Sequence, residues 1–146
     1  MKFTLSSNAL SSRLQTLAKV INSKNSLPIL ESFLFQVHNG QLTLTASDSE
    51  NVMQTSLALD QFDTDGDFAI PSHTVLDAVK ELPEQPLTFE VNMSTYEVTV
   101  GYQNGQYQFT AQNADEYPHT APIQNDVHAI TIGAVALNEN ISRTLF

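Results

Sequence analysis

Apolar and polar residues alternate from the first positions of the chain. Lys2-Phe3-Thr4-Leu5 has a period of two, which predicts a short strand. Ser6-Ser7-Asn8 supplies a helix N-cap, and Leu10, Leu14, Leu17, Ala18 and Ile21 follow at spacings of three and four, so the strand should run into an amphipathic helix. The opposite face of that helix carries Ser12, Gln15, Thr16 and Lys19, with Arg13 on its flank; it is polar and has no acid. Asn22 to Asn25 reads as a polar loop holding Lys24, and Leu27-Pro28 imposes extended backbone that closes the helical region.

Period-two patterning then returns. Phe33, Phe35 and Val37 alternate with polar neighbours, Asn39-Gly40 is a hairpin signal, and Leu42, Leu44 and Ala46 form the return strand. A third strand is expected over about 52–59, and Asp63-Thr64-Asp65-Gly66-Asp67 reads as a turn. The order then repeats. Phe68-Ala69-Ile70 predicts a strand, and Ser72 an N-cap. Val75, Leu76, Val79 and Leu82 form a helical stripe whose outer face shows His73, Asp77 and Lys80, with Pro83 as its stop. Three more strands follow, through Leu87 to Met93, Tyr96 to Tyr102 and, after Asn104-Gly105, Tyr107 to Ala111.

A third copy opens with Ile130-Thr131-Ile132 as a strand and Val135, Leu137 and Ile141 as a helix. At spacings of 65 and 62 residues, Phe3, Phe68 and Ile130 coincide, as do Leu10, Val75 and Leu137. The pattern predicts an α+β fold made of two pseudo-repeated strand-helix-three-strand units, with two helices on one face of antiparallel sheets. One domain is expected over 1–127, in repeats of about 1–65 and 66–127, and 128–146 as the opening strand and helix of an incomplete second domain. That last segment cannot bury its own apolar side. Its apolar residues are expected to contact something outside their own repeat, and the chain reads as the front part of something longer.

Composition sharpens this picture. With 146 residues, 41% of them apolar, the chain suits one folded domain, and no apolar run approaches a membrane span or a secretory leader. The absence of cysteine excludes disulfides, thiol catalysis and sulfur-ligated zinc, and is compatible with a reducing cytoplasm. The net charge of −10 argues against nucleic acid as a total, but the charge is unevenly spread. Lys2, Arg13, Lys19 and Lys24 give the first thirty residues +4 with no acid, and the remainder carries −14. One surface is thereby suited to a polyanion while the rest repels it.

Candidate chemistry is sparse. Asp63 to Asp67 lacks the spacing of a calcium loop, since glycine comes fourth and Thr74 stands where the bidentate acid belongs. His38, His73, His119 and His128 form no metal-binding or hydrolase spacing. No glycine-rich phosphate cradle occurs either, so no catalytic residue, metal or cofactor is expected. Two helix faces remain, holding Arg13 with Lys19, and His73 with Lys80. Such faces touch phosphates weakly without reading bases. Enclosing DNA, rather than gripping it, would need no more.

Five segments in register with the repeat carry a resemblance: Met1-Lys2-Phe3-Thr4, Leu27-Pro28-Ile29-Leu30, Leu42-Thr43-Leu44-Thr45-Ala46-Ser47-Asp48, Glu81-Leu82-Pro83-Glu84 and Ala114-Asp115-Glu116-Tyr117-Pro118. In order and spacing the chain resembles the first domain of the bacterial DNA polymerase III beta subunits, the sliding clamps. The resemblance implies a DNA-clamp fold with helices lining a hole and strands forming the outer wall. It implies a non-catalytic subunit that joins head to tail with a second copy around double-stranded DNA. The replicative polymerase and clamp loader would be reached through domains beyond this chain. It places Lys24 at a DNA-contacting position and His73 at another, usually arginine in that family, with Arg13, Lys19 and Lys80 as supporting contacts from the helix-face pattern. Tyr107 and Phe109 would lie on the edge strand that meets the partner subunit, unless either is an ordinary core residue. The competing expectation is a β-rich protein-interaction module that never touches DNA; a hydrolase whose histidines converge only in space has no motif behind it.

Overall fold

The computed structural model describes residues 1–21, 27–118 and 130–145. Two structural units with the same order of strands and α-helix follow one another, differing in where their 3-10 turn falls. The first comprises β1 (Lys2–Ser6), α1 (Ser7–Leu17), a 3-10 turn (Pro28–Glu31), β2 (Ser32–His38), β3 (Gln41–Ser47), β4 (Val52–Ala58) and β5 (Gln61–Phe62). The second comprises β6 (Gly66–Pro71), α2 (Ser72–Val79), β7 (Pro86–Val91), β8 (Glu97–Tyr102), β9 (Gly105–Thr110), β10 (Gln112–Asn113) and a 3-10 turn at Ala114–Glu116. A third helix, α3 (Ala134–Thr144), lies further along.

The strands form two five-stranded antiparallel sheets, ordered β5-β1-β7-β8-β9 and β10-β6-β2-β3-β4. Each sheet is shared between the units, because β1 joins the meander of the second and β6 joins the meander of the first. The exchange gives the core its centre. Phe3 on β1 stacks on its cross-strand partner Phe89 with ring centroids 4.9 Å apart, and Phe35 on β2 stacks on Phe68 of β6 at 5.2 Å. Between the sheets, Phe3 meets Phe68 at 6.4 Å and Phe35 meets Phe89 at 6.2 Å. The four rings are fully buried and close a cycle that ties both sheets and both units together.

Helix α1 begins at the expected cap: Ser6 is extended and its hydroxyl accepts from the Ala9 N–H at 3.1 Å. Leu10, Leu14 and Leu17 are buried, and α1 packs beside α2, whose Val75 and Val79 are buried in the same core. The N-terminus of α1 is fastened by Ser7, itself buried, whose hydroxyl donates to the Pro83 carbonyl and accepts from the Gln85 N–H. Gln85 in turn accepts the Gln103 N–H through its side-chain oxygen.

Several local expectations are corrected. Pro71, not Ser72, occupies the N-cap of α2 and offers no side-chain bond; Ser72 is already helical, because the strand β6 runs straight into the helix. The acidic turn is shorter than expected, since β6 pairs from Gly66 onward. Asn39 and Gly40 form the expected hairpin with φ of 51° and 76°. The second hairpin turns instead on Gln103-Asn104, with Gly105 already paired to Tyr102. A Cβ at Gly105 would stand 2.9 Å from the Tyr102 hydroxyl, so a larger residue there must displace that side chain.

The third copy departs most. Ile130 to Ile132 form no strand, whereas α3 forms as expected. A strand needs a neighbour for its hydrogen bonds and a helix supplies its own. The expectation that this segment packs its apolar residues outside its own repeat is overturned: Ile130, Ile132, Val135, Leu137, Ile141 and Leu145 are exposed, and α3 buries none of its residues.

Candidate nucleic-acid face and edge strand

The exposed side of α1 and the C-terminal end of α2 meet at a shared groove. On α1 the buried leucines turn Ser12, Gln15 and Thr16 outward, and Lys19 follows just past its last turn. Lys80 caps the C-terminus of α2, so Lys19 and Lys80 come to line the same shallow groove of about 550 Å3, with Ser12, Gln15 and Thr16 on its floor. The side chains of this floor are neutral hydrogen-bonding groups, and Thr16 already returns its hydroxyl to the Ser12 carbonyl.

The cations differ in what surrounds them. Among the described residues, neither Arg13 nor Lys19 has a carboxylate within ion-pair distance. The Lys80 ammonium lies 2.8 Å from Asp77 Oδ1, one turn back on α2. That hydrogen bond and charge hold the Asp77 carboxyl below its usual range and the Lys80 amine above its own. Lys2, counted in the basic block, projects from β1 onto Glu90 of β7 at 2.7 Å, which takes it out of that block. His73 is exposed but lines a different groove, with Ala18, Ile21, Glu31 and Asp77, so two carboxylates share its surroundings. Arg13 is exposed on α1 and lines neither groove. Lys24, His119 and His128 lie outside the described residues.

The acidic turn has local duties. Asp63 accepts the Lys2 N–H at 2.6 Å, which lowers its pKa, and Asp65 accepts the Asn39 N–H. Asp67 accepts from Gln36, and His38 Nε2 sits 2.7 Å from its other oxygen. Among the described residues no three histidine or acidic side chains gather as a metal site, and no helix is long and apolar enough to cross a membrane.

At the far edge of its sheet, β9 pairs with β8 alone among the described residues, so its outer row of backbone groups has no strand partner among them. Tyr107 and Phe109, two residues apart, share the face turned toward the core and are half-buried against it. Tyr107 stacks on Tyr102 at 5.1 Å. Both aromatics therefore pack on the core and rim the open edge.

The model of the DNA polymerase III beta subunit N-terminal domain matches residues 1–121. The chain belongs to that family. Among curated relatives, the beta sliding clamp of Synechococcus elongatus is 32% identical over 100% of this chain and 39% of its own length. The beta sliding clamp of Bacillus subtilis is 26% identical over 100% of this chain and 40% of its own. A crystal structure of the DNA polymerase III beta subunit from Pseudomonas aeruginosa superposes with a TM-score of 0.88 at 25% identity, over 98% of this chain and 38% of that one. The beta-subunit chain described here thus spans about two fifths of the length of the relatives it matches.

Within this beta-subunit fold, sequence reasoning found the helix faces but missed two pairings. The Asp77–Lys80 bridge was legible as an i, i+3 spacing on a helix. The Lys2–Glu90 bridge was not, since it depends on which strands become neighbours across 88 residues of chain.

Proposed function

We propose that this chain supplies the first domain of a ring-shaped processivity clamp, a non-catalytic subunit that encircles duplex DNA and tethers the replicative polymerase. Residues 1–127 are that domain on this reading, and 128–146 open a second of the same kind, with α3 as its helix and Ile130-Thr131-Ile132 becoming a strand when partner strands are present. Helices α1 and α2 face the hole. Lys19 and Lys80, joined on this reading by Arg13, Lys24 and His73, offer phosphate contacts too few to grip. The open edge of β9, with Tyr107 and Phe109, receives a second copy of the subunit head to tail. Polymerase and clamp loader are held by domains beyond this chain, and the assembly works in the cytoplasm.

The observation that carries this reading is the shared groove of Lys19 and Lys80 on an acid-poor helix pair, in a chain of the beta-subunit family. A ring raises the polymerase's effective concentration at the primer end, so that it rebinds before it escapes. Retention of the whole subunit on nicked circular and on linearised DNA is the test. Loss from linear DNA alone is expected, and equal retention on both refutes topological holding. Lys24→Ala is expected to weaken DNA binding at low salt; no change removes Lys24 from the face.

A further inference from the structure

The cation nearest the neutral floor of the helix groove on α2 is not free to serve it. Lys80 and Lys19 line one groove, yet Lys80 is held 2.8 Å from Asp77 while Lys19 has no carboxylate partner among the described residues. Both members of the Asp77–Lys80 pair are exposed. An exposed ion pair of this kind is weak and salt-screened, so a phosphate arriving at the groove can compete for the ammonium but must displace the carboxylate. Asp77 has no other bonded partner among the described residues. It stands in the last turn of α2, where its charge is unfavourable to the helix dipole.

We infer that Asp77 is a leash on Lys80: a positioning residue that weakens one phosphate contact in the helix groove and so keeps the DNA-facing surface mobile along the duplex. The inference rests on the clamp reading and deepens it. Freed of Asp77, Lys80 behaves as Lys19 does, the groove gains a second full cation, and the binding of duplex becomes tighter and more salt-dependent. With Asp77 in place the phosphate contact is made and lost at little cost, which favours translation over residence.

The test is a titration of the 146-residue chain with a short duplex, followed by NMR shifts at several salt concentrations, for the wild type, Asp77→Asn, Lys80→Ala and the double variant. Circular dichroism and thermal melting establish that each variant is folded. Asp77→Asn is expected to steepen the slope of log K against log salt by about 0.9, the counterion release of one added phosphate contact, and to raise affinity several-fold at low salt. Lys80→Ala should abolish that gain in the double variant. A slope unchanged by Asp77→Asn, or a gain that persists without Lys80, overturns the leash while leaving the clamp reading intact. Wild-type shifts that show no salt-dependent duplex contact at the groove overturn the leash as well, and the clamp reading is decided separately by retention of the whole subunit on nicked circular and linear DNA.

Discussion

The cycle of four phenylalanines permits a quantitative test of how the two sheets are joined. Phe3 and Phe89 are buried and stacked at 4.9 Å, so replacing either by leucine removes part of a ring from a filled space. Each single substitution is expected to cost about 1–2 kcal/mol, below the cost of truncation to alanine. Because the rings stack, the double variant should cost less than the sum, with a coupling of about 0.5–1.5 kcal/mol. The pair Phe35 and Phe68, stacked at 5.2 Å, occupies the equivalent place in the other sheet and should show a coupling of the same size. The diagonal pair Phe3 and Phe35 forms no ring contact, and its coupling should be smaller. Urea unfolding followed by circular dichroism measures all three cycles, and an unchanged m-value keeps the comparison within two-state behaviour. A Phe3/Phe89 coupling no larger than the diagonal one would refute the claim that ring stacking, rather than apolar volume alone, fastens β1 to the second unit's meander.

Other consequences follow from single groups. Ser7→Ala leaves the Pro83 carbonyl and the Gln85 N–H without their partner and should cost about 1–3 kcal/mol in urea unfolding, whereas the exposed Ser12→Ala should change stability by less than about 0.5 kcal/mol; equal effects would refute the anchoring role of Ser7. Gly40→Ala places a Cβ at φ 76° and 3.0 Å from the Phe62 ring, and a loss of about 1–2 kcal/mol is expected; an unchanged melting temperature would contradict it. Burial, with no hydrogen-bond partner for its hydroxyl among the described residues, pushes the Tyr117 phenol up to about 12. The unfolded chain releases this proton near pH 10 and the folded one near 12. The stability contribution is therefore complete below pH 10 and declines as pH rises through about 12. Absorbance at the phenolate band should show a step near pH 12 that Tyr117→Phe removes, and a Tyr117 step near pH 10 in folded protein would contradict the burial.

How much was legible beforehand differs from element to element. Phe3, Leu5, Leu10 and Leu14 announced a strand and a helix because period two and spacings of three and four are local properties of a chain burying one side. The partner of a strand is not local. Nothing in Lys2-Phe3-Thr4-Leu5 names Glu90, Phe89 and Leu87 as its neighbours, and the exchange of β1 and β6 between the meanders had to come from the assembled sheets. The two-residue strands β5 and β10 were missed for the same reason, since they exist only as partners of β1 and β6. Ile130-Thr131-Ile132 shows the reverse case: a strand pattern with no neighbour stays unpaired, while the helix that follows closes its own hydrogen bonds.

The candidate face divides in the same way. The acid-free helix surface of Ser12, Gln15, Thr16 and Lys19 and the shared strand face of Tyr107 and Phe109 were determined by the sequence, because face and alternation follow from helix and strand periodicity alone. The edge position of that strand was implied only by the family resemblance and is set by the sheet order. Only the tertiary structure decided that Lys80 joins Lys19 in one groove, that His73 sits instead with Glu31 and Asp77, and that Lys2 is bound to Glu90. Charge is carried by residues, but a field is made by their distances, and distances between elements are set by packing.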